Sequence, residues 1–420
     1  MNNNFSIRKW LIWSFAAIFY FYEFVLRVSP SIMISELMQS FNITASAVGI
    51  LSAFYLYAYA PMQLPVGMIM DRYGVKKVLS FASLICGMGA VFFAISQNLP
   101  LAGLGRFLIG AGSSFAFIAM VYVTSWFDAK KRAFLIGVAN SLAMLGASVG
   151  GGPLSTAMQI LGWRLMIGLF GMFGLIIGVT IYFLFKEDTD NQKSEDSPKT
   201  SFFEGLKSVV IKKNNWINAL VALFFYVTTT AFGGLWGVSF LQNVYNVTKE
   251  TASYAVSMIF IGWLVGGPVV GFWSDFVGKR NTLIRSGILG SLCCLIAVIY
   301  FPVIHIYSVY VLLFLLGFFS SAELLNFSVA IEQNSFKVRA TAAAFTNFLI
   351  SCGDAAVQPL IGFFLDRNWT GEMLRGIRVY SANNYQLAMT CLPVTLLIAF
   401  MLLFLIKEKQ VKKDLLVDVG

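Results

Sequence analysis

The segment between residues 67 and 77 reads GMIMDRYGVKK, and the segment between residues 271 and 280 reads GFWSDFVGKR. Both contain the pattern Gly-x-x-x-Asp-x-x-Gly followed by basic residues, and both come directly after a long apolar run. The second copy lies about half a chain length beyond the first. This spacing indicates that the chain consists of two related halves.

Three further motifs recur in the same order. FNIT at 41–44 corresponds to YNVT at 245–248, Gly110 with Ser113 and Ser114 corresponds to Gly317 with Ser320 and Ser321, and Arg132 with Asn140 corresponds to Arg339 with Asn347. Each pair occupies the same place in its half. Four matches in register are typical of an internal duplication and not of chance.

The composition is that of a membrane protein. Of 420 residues, 58% are hydrophobic and 12% are charged, with a mean hydropathy of +0.76. A soluble fold of this size would have too little polar surface to cover itself. A helix needs about 20 apolar residues to cross a bilayer core of ~30 Å. Runs of this kind fall near 10–34, 46–70, 76–96, 100–125, 133–158, 163–185, 215–241, 251–274, 281–301, 303–330, 339–365 and 385–406.

The basic residues predict how these runs are oriented. If the N-terminus is inside, the outer connectors contain only Arg164, Lys249, Arg367, Arg375 and Arg378, and the inner segments contain all other lysines and arginines outside the runs. Cytoplasmic loops carry such an excess of basic residues. Both termini are therefore expected in the cytoplasm, and no cleavable signal is expected ahead of the first run.

A polar segment separates the two sets of six runs. We predict an N-terminal bundle at 1–185, a cytoplasmic linker at 186–213, a C-terminal bundle at 214–406 and a cytoplasmic tail at 407–420. The net charge is +10, and most of the basic residues lie in short connectors and not along one helix face. This distribution predicts no nucleic-acid binding. The five cysteines lack metal-ligand or CxxC spacing, and we expect no metal and no cofactor.

The repeated motifs resemble those of a known transporter family. GMIMDRYGVKK resembles motif A of the major facilitator superfamily, and GFWSDFVGKR is similar to its second copy. Arg106 ahead of Gly110 resembles the family's motif with an embedded arginine, and the Gly-rich stretch at 146–153 is similar to motif C. The stretch YFYEFVLRVSPSIM at 20–33 resembles bacterial metabolite carriers, including phagosomal amino-acid carriers.

The resemblance implies an all-α polytopic membrane protein with twelve transmembrane helices, in two six-helix bundles related by pseudo-two-fold symmetry. It also implies alternating access to a site near the bilayer midplane. Gly67 would allow close helix approach, Asp71 would accept hydrogen bonds from the start of span 11, and Asp275 would do the same beside span 5. The expected gating residues are Gly67, Asp71, Arg72, Gly74, Gly271, Asp275 and Gly278.

Five ionisable residues lie inside the apolar runs, where they are costly and therefore point to function. They are Glu23, Arg27, Arg106, Glu323 and Asp354. The i,i+4 spacing of Glu23 and Arg27 predicts that they are partners. Carboxyl groups in a low dielectric bind protons readily, so Glu23, Glu323 and Asp354 are the candidates for proton coupling.

The remaining candidates line the same helix faces. Arg27 and Arg106 offer docking points for a carboxylate, and the acids of the second half offer one for an ammonium group. We expect the substrate to contact Arg27, Arg106, Tyr20, Tyr226, Trp236, Asn326, Asn347 and Gln358.

These features predict a secondary active transporter and not an enzyme, because no nucleotide-binding or nucleophile motif occurs. We expect a monomer in the bacterial inner membrane, surrounded by lipid, that takes up a small zwitterionic or carboxylate metabolite together with protons. Two alternatives remain open. One is a proton-driven exporter of amphipathic compounds, and the other is a non-transporting receptor with a carrier fold.

Overall fold

The structure is a computed structural model that describes residues 2–184, 202–302, 305–374 and 376–406. Twelve helices among these residues are long and apolar enough to cross a membrane, as the sequence predicts. Numbered in chain order, the spans are Lys9–Ile32, Ala45–Met62, Val66–Ile95, Leu99–Thr124, Phe134–Leu161, Trp163–Phe183, Lys213–Val244, Lys249–Val277, Arg280–Tyr300, Ile306–Glu332, Arg339–Arg367 and Ala382–Leu403.

Several spans are interrupted near their middle or at one end. Span 1 ends in a 3-10 turn, span 7 contains a π-helical stretch, and span 10 contains a second 3-10 turn; these segments are Ser29–Ile32, Thr229–Trp236 and Ser321–Leu324. Spans 4 and 12 each consist of two helices, Leu99–Ser113 with Ala116–Thr124 and Ala382–Met389 with Cys391–Leu403. Such breaks free backbone groups and are typical of binding regions in transporters.

Short elements complete the described chain. They are the helices Ile34–Phe41 and Phe202–Val210, the 3-10 turn Phe336–Val338, and the antiparallel strands β1, Met373–Leu374, and β2, Ile377–Arg378. Three of the helices are longer than the spans that they contain or overlap. The helix Ala129–Leu161 contains span 5, and the helix Asn2–Val28 contains most of span 1. The helix Trp163–Leu184 extends span 6 by one residue.

The predicted linker lies only partly within the described residues. Its residues 186–201 and the predicted tail at 407–420 lie outside the described residues. Residues 202–210 form a helix, because Val209 is buried against Ala342 and Phe345 of span 11. Span 7 begins at Lys213, the residue at which the predicted linker ends.

The boundary between spans 2 and 3 also differs in detail. Span 2 ends at Met62, and the next helix already begins at Val66. That helix is interrupted at Gly74, whose φ of 76° and ψ of 157° lie outside the helical region. Glycine tolerates a positive φ because it lacks a Cβ atom. The predicted boundary, between residues 70 and 76, therefore coincides with the interruption at Gly74 and not with the end of a helix.

The six spans of each half pack in the same way. Spans 1 and 5, 2 and 4, and 3 and 6 are in contact in the first half, and spans 7 and 11, 8 and 10, and 9 and 12 are in contact in the second. The halves meet where span 2 packs on span 11 and where span 5 packs on span 8. These pairings give two bundles related by a pseudo-two-fold axis.

Backbone details confirm that the halves are repeats. Asn42 and Asn246, which occupy equivalent places in FNIT and YNVT, are the two described non-glycine residues with a positive φ, at 51° and 52°. A Cβ atom at Gly110 would lie 1.9 Å from the main-chain oxygen of Tyr55, and one at the equivalent Gly317 would lie 1.9 Å from that of Ile259. The duplication therefore extends to helix-on-helix contacts.

The contacts at Gly110 and Gly317 lead to a stability prediction. We expect Gly110→Ala and Gly317→Ala each to destabilise the protein by about 1–3 kcal/mol or more, because a backbone carbonyl stands where the methyl group would go. Thermal unfolding of the purified protein measures the effect. Gly137→Ala is the matched control, since no atom of a neighbouring helix lies within 4 Å of its Cβ position. Equal melting temperatures for all three variants would contradict the packing described.

Two faces of the molecule are used below. The linker face contains Gln63, Asp128, the helix Phe202–Val210 and Asn334. The loop face contains the helix Ile34–Phe41 and residues 245–248, 368–374 and 376–381. Because the spans alternate in direction, every connector of the described chain lies on one of these two faces.

Candidate functional site

An ion pair joins the two halves at the centre of the bundle. Nη2 of Arg27, in span 1, lies 3.8 Å from Oδ2 of Asp354, in span 11. The Asp354 side chain is completely buried, and the Arg27 side chain is 13% exposed. Asp354 Oδ1 also accepts a short hydrogen bond from Thr230 in the π-helical stretch of span 7. Asp354 thus lies where three helices meet.

Glu23 forms a different contact from the one expected. Its Oε2 accepts a hydrogen bond of 3.0 Å from the Tyr55 hydroxyl, and its Oε1 has no hydrogen-bond partner among the described residues. Glu23 therefore bonds to Tyr55, and Arg27 pairs with Asp354, in place of the expected ion pair between Glu23 and Arg27. Residues on the neighbouring helices compete with the i,i+4 partner for these charged groups.

Arg106 is held against span 1. Its Nη1 donates to the main-chain oxygen of Leu26 at 3.0 Å, and its Nε has no partner within the described chain. The guanidinium carbon lies 5.2 Å from the centre of the Tyr55 ring. The side chain is 1% exposed. Arg106 therefore keeps a free donor in the centre of the first half while it contacts the backbone one residue before Arg27.

Two tyrosines of span 2 are part of the site and are absent from the predicted set. Tyr55 and Tyr59 stack with their ring centres 5.6 Å apart. The guanidinium carbon of Arg27 lies 5.8 Å from the centre of the Tyr55 ring and 5.3 Å from that of Tyr59. Aromatic faces stabilise a cation at these distances. Their i,i+4 spacing in the sequence YLYAY is the signal that would have identified them.

The predicted aromatic residues are two tyrosines on spans 1 and 7 and one tryptophan that bonds to a neighbouring helix. Tyr20 donates to Asn140 at 3.5 Å, and Tyr226 is half-buried with its ring against Trp263. Tyr226 lies within electrostatic reach of Arg27, Asp354 and Glu323, and so it belongs to the central group. Trp236 is fully buried and donates its Nε1–H to the main-chain oxygen of Gln358 at 3.0 Å. In this conformation Trp236 joins spans 7 and 11.

The predicted amides lie on both sides of the centre. Asn347 donates to Oε1 of Gln63 at 2.8 Å, which joins span 11 to the end of span 2 towards the linker face. Gln358 lies one turn beyond Asp354 on span 11, and its Oε1 has no described partner. Asn326 is on span 10 with Glu323, and no hydrogen bond among the described residues joins either of them to the ion pair. The structure therefore gathers Arg27, Asp354 and Gln358, with Glu323 on span 10 within electrostatic reach of Asp354.

The expected gating contacts at the linker face are not formed by Asp71, Gly67 or Gly271 in this conformation. Asp71 and Arg72 are exposed, and no described donor at the start of span 11 bonds to Asp71. No atom of a neighbouring helix lies within 4 Å of the Cβ position of Gly67 or Gly271.

The second copy of the motif forms contacts within its own half. Asp275 pairs with Arg280 at 2.8 Å and not with span 5. Gly278 ends span 8 with a φ of 69°, so both this glycine and Gly74 occupy positions that favour glycine. Gly74, Asp275 and Gly278 therefore shape the connectors within their own halves.

The halves are also joined at the loop face. Asp366, at the end of span 11, accepts a hydrogen bond of 2.9 Å from the main-chain nitrogen of Ser46. The Tyr380 hydroxyl donates to Asp366 at 2.5 Å and accepts from the main-chain nitrogen of Ala45 at 3.2 Å. Arg378 Nη1 lies 3.3 Å from Asp366. A carboxylate thus caps the start of span 2, where a helix carries positive partial charge.

Further bonds close the same face, where Lys249 pairs with Glu36 and Glu250 accepts from Thr156 at 2.9 Å. Burial, together with the hydrogen bond to Asp366, raises the pKa of the Tyr380 phenol well above its usual value, which keeps the hydroxyl protonated as a donor. The loop face is closed in this conformation.

The cap at the loop face leads to a second prediction. We expect Asp366→Asn to shift the protein towards a separated loop face by about 1–3 kcal/mol, because a charge-assisted bond to the start of span 2 is lost. Pulsed electron paramagnetic resonance between labels at Gln39 and Thr248 would report longer distances. Asp128→Asn, at an exposed aspartate of the linker face, is the control. An unchanged distance distribution in Asp366→Asn would rule out the cap as a determinant of closure.

Comparison with known proteins places this geometry in a family. The profile of the Major Facilitator Superfamily matches residues 13–359 and 230–415. A probable sulfoacetate transporter of Cupriavidus necator is 24% identical over 278 residues, which are 63% of this chain and 65% of that protein. A lysosomal dipeptide transporter of Danio rerio is 23% identical over 292 residues, which are 63% of this chain and 61% of its own length. The matched region is thus less than two thirds of either relative.

A solved structure shares the fold over nearly the whole chain. It is a bacterial homologue of the human lysosomal transporter Spinster, in an inward-facing and occupied conformation, with a TM-score of 0.74 and 17% identity. The similarity covers 95% of this chain and 96% of that one. At this identity the comparison establishes the arrangement of the twelve helices.

Proposed function

Because this chain belongs to the major facilitator superfamily of transporters, we propose that it takes up a small carboxylate or zwitterion together with protons by alternating access. The observation that carries the proposal is the buried contact between Arg27 and Asp354 across the two halves. The bundles formed by spans 1–6 and spans 7–12 rock about this point, and the substrate binds between them.

A carboxylate substrate competes with Asp354 for Arg27. At 3.8 Å the two residues form a loose ion pair, and the aromatic rings of span 2 hold the guanidinium in place. A substrate carboxylate that displaces Asp354 would leave that side chain as an unpaired charge in a buried site, which is strongly unfavourable. A proton on Asp354 removes the charge, so substrate and proton bind together.

Glu23 is the second proton acceptor of the proposal. It is buried, and one of its two oxygens lacks a donor. The Tyr55 hydroxyl bonds to the other oxygen, while the Tyr55 ring lies between Arg27 and Arg106. A change in the protonation of Glu23 therefore alters the position of the tyrosine that contacts both arginines.

The relatives support the substrate class. Sulfoacetate carries a carboxylate and a sulfonate, and a dipeptide carries a carboxylate and an ammonium group, and these are the substrates named for two of them. An arginine flanked by aromatic rings suits the anionic group that both compounds share. The proposed location is the bacterial inner membrane, with the basic linker face in the cytoplasm.

Two experiments test the function in sequence. A thermal-shift screen of the purified protein against amino acids, dipeptides, sulfoacetate and other organic acids, and neutral sugars identifies a ligand, because ligand binding stabilises the folded state. Proteoliposomes are then assayed with that ligand under an inward proton gradient. Accumulation driven by the gradient supports the proposal. Gradient-driven loss of preloaded ligand indicates export, and binding without flux indicates a receptor; either result would overturn proton-coupled uptake.

A further inference from the structure

A second group of buried polar atoms lies in spans 7 and 10, within electrostatic reach of Asp354 but outside the ion pair. Oε1 of Glu323 and the side-chain oxygens of Asn326 and Asn218 have no hydrogen-bond partner among the described residues. These three side chains are at most 2% exposed. Buried polar atoms in folded proteins are almost always satisfied, so three unsatisfied acceptors in one region require an explanation.

The amide orientations are fixed by their other bonds. Nδ2 of Asn326 donates to the main-chain oxygen of Glu323 at 2.9 Å, and Nδ2 of Asn218 donates to the main-chain oxygen of Asn326 at 2.9 Å. Each nitrogen therefore has an acceptor, and a flip of either amide would place oxygen against oxygen. These bonds join Asn218, Asn326 and the main chain at Glu323 into one group of neighbouring residues, which we call the acceptor cluster.

The acceptor cluster contains a carboxylate without a counter-charge. The ion pairs among the described residues join Arg27 with Asp354 and other pairs at the two faces, and none includes Glu323. Asp354, by contrast, has both Thr230 and Arg27 as partners. A buried carboxylate without a cationic partner, on neighbouring residues whose amide oxygens are also unsatisfied, favours a cation and disfavours an anion.

The backbone around Glu323 supports this conclusion. Glu323 lies in the 3-10 turn Ser321–Leu324 that interrupts span 10. In transporters, interrupted helices expose carbonyl groups that coordinate small cations near the bilayer midplane. The first half has Ala116 at the position that matches Glu323, so the cluster belongs to one half only.

We propose that the acceptor cluster binds a compact monovalent cation, either Na⁺ or the primary ammonium group of a zwitterionic substrate. One carboxylate matches one positive charge, and the amide oxygens supply further ligands of the kind that hard cations prefer. Binding of a substrate ammonium group rests on the function proposed above, whereas binding of Na⁺ does not. We call these two possibilities the ammonium source and the sodium source of the cation. In both cases Glu323, one of the three acids expected to couple protons, holds a cation instead, and proton coupling stays with Glu23 and Asp354.

The test measures thermal stability of the purified full-length protein at constant chloride concentration. Choline chloride is replaced stepwise by sodium chloride in one series and by methylammonium chloride in another. We expect one of the two cations to raise the melting temperature saturably by about 3–6 °C. A response to Na⁺ identifies the sodium source, and a response to methylammonium alone identifies the ammonium source.

Three variants locate the response. Glu323→Gln should abolish it, and Asn326→Asp should lower the half-saturating concentration about tenfold, because a second carboxylate joins the cluster. Opposite effects from two changes in one cluster cannot come from general destabilisation. Glu332→Gln removes an exposed acid from the same span and should leave the response unchanged.

The outcomes separate this inference from the proposed function. No response to either cation in the unmodified protein, or a response that persists in Glu323→Gln, would overturn the acceptor cluster as a site. If Glu323→Gln cannot be purified, a half-saturating concentration that does not fall in Asn326→Asp has the same consequence. Proton-driven uptake is measured in parallel, and its absence beside an intact cation response would remove only the proposed function.

Discussion

Asp354→Asn is expected to abolish accumulation of substrate under an inward proton gradient while sparing exchange of substrate across the membrane. The amide keeps the size of the side chain and can still bond to Thr230, but it cannot gain or lose a proton. The carrier would then behave as if the proton were always bound. Uptake and counterflow of a labelled substrate in proteoliposomes measure the two activities separately.

Counterflow serves as the internal control for Asp354→Asn, because a misfolded protein would lose both activities. Glu372→Gln, at an acid of the loop face, should accumulate substrate normally. If Asp354→Asn still accumulates substrate against its gradient, Asp354 is not the coupling acid. Glu23→Gln would then be the remaining test of coupling in the first half.

Arg27→Ala is expected to weaken binding of a carboxylate substrate by about 2–5 kcal/mol, or roughly 30- to several-thousand-fold in Kd. Among the described residues, Arg27 is the cation that pairs with Asp354. The aromatic rings of Phe24, Tyr55 and Tyr59 hold its guanidinium in position. Calorimetry on the purified protein measures the loss. Binding should be compared in the Asp354→Asn background, where removal of Arg27 leaves no unpaired carboxylate behind.

Two controls accompany Arg27→Ala. Arg285→Ala removes an arginine that lies over Phe404, outside the central cluster, and should not change the affinity. Arg27→Lys should restore only part of it, since an ammonium lacks the planar group that stacks on aromatic rings. Carboxylate affinity that is unchanged in Arg27→Ala would remove the basis for assigning an anionic substrate.

The number of spans and the duplication were predictable from the sequence because each depends on a strong local signal. An apolar run of sufficient length has few alternatives to a membrane span. The conformation of Asn42 and Asn246, and the tight contacts at Gly110 and Gly317, follow the repeated motifs residue by residue. The boundary near Gly74 was less certain because apolar residues continue through the connector.

The burial of the central charges was also predictable, since ionisable residues in a span are too costly to face lipid. Their partners were not. The i,i+4 rule describes one helix, and it gave Glu23 with Arg27, whereas the neighbouring helices supply Tyr55 and Asp354. Tyr55 and Tyr59 were missed because their i,i+4 spacing is a weak signal in a chain with 40 Phe and 16 Tyr.

The gating residues could not be predicted in detail because their contacts depend on the conformation. The motif at Asp71 predicts a bond to span 11, yet this structure is closed at the opposite face by Asp366 and Tyr380. A sequence contains the residues for both states at once. Which of the two sets of contacts is formed depends on a balance of a few kcal/mol between conformations.

Proton uptake on substrate binding tests the central claim most directly, because the claim is that substrate replaces Asp354 on Arg27 and that Asp354 then takes a proton. The purified protein is mixed with its ligand in weakly buffered solution containing a pH-sensitive dye. We predict uptake of about one proton per carboxylate bound, and none in Asp354→Asn. Tight binding of a carboxylate to the unmodified protein with no change in pH would contradict it.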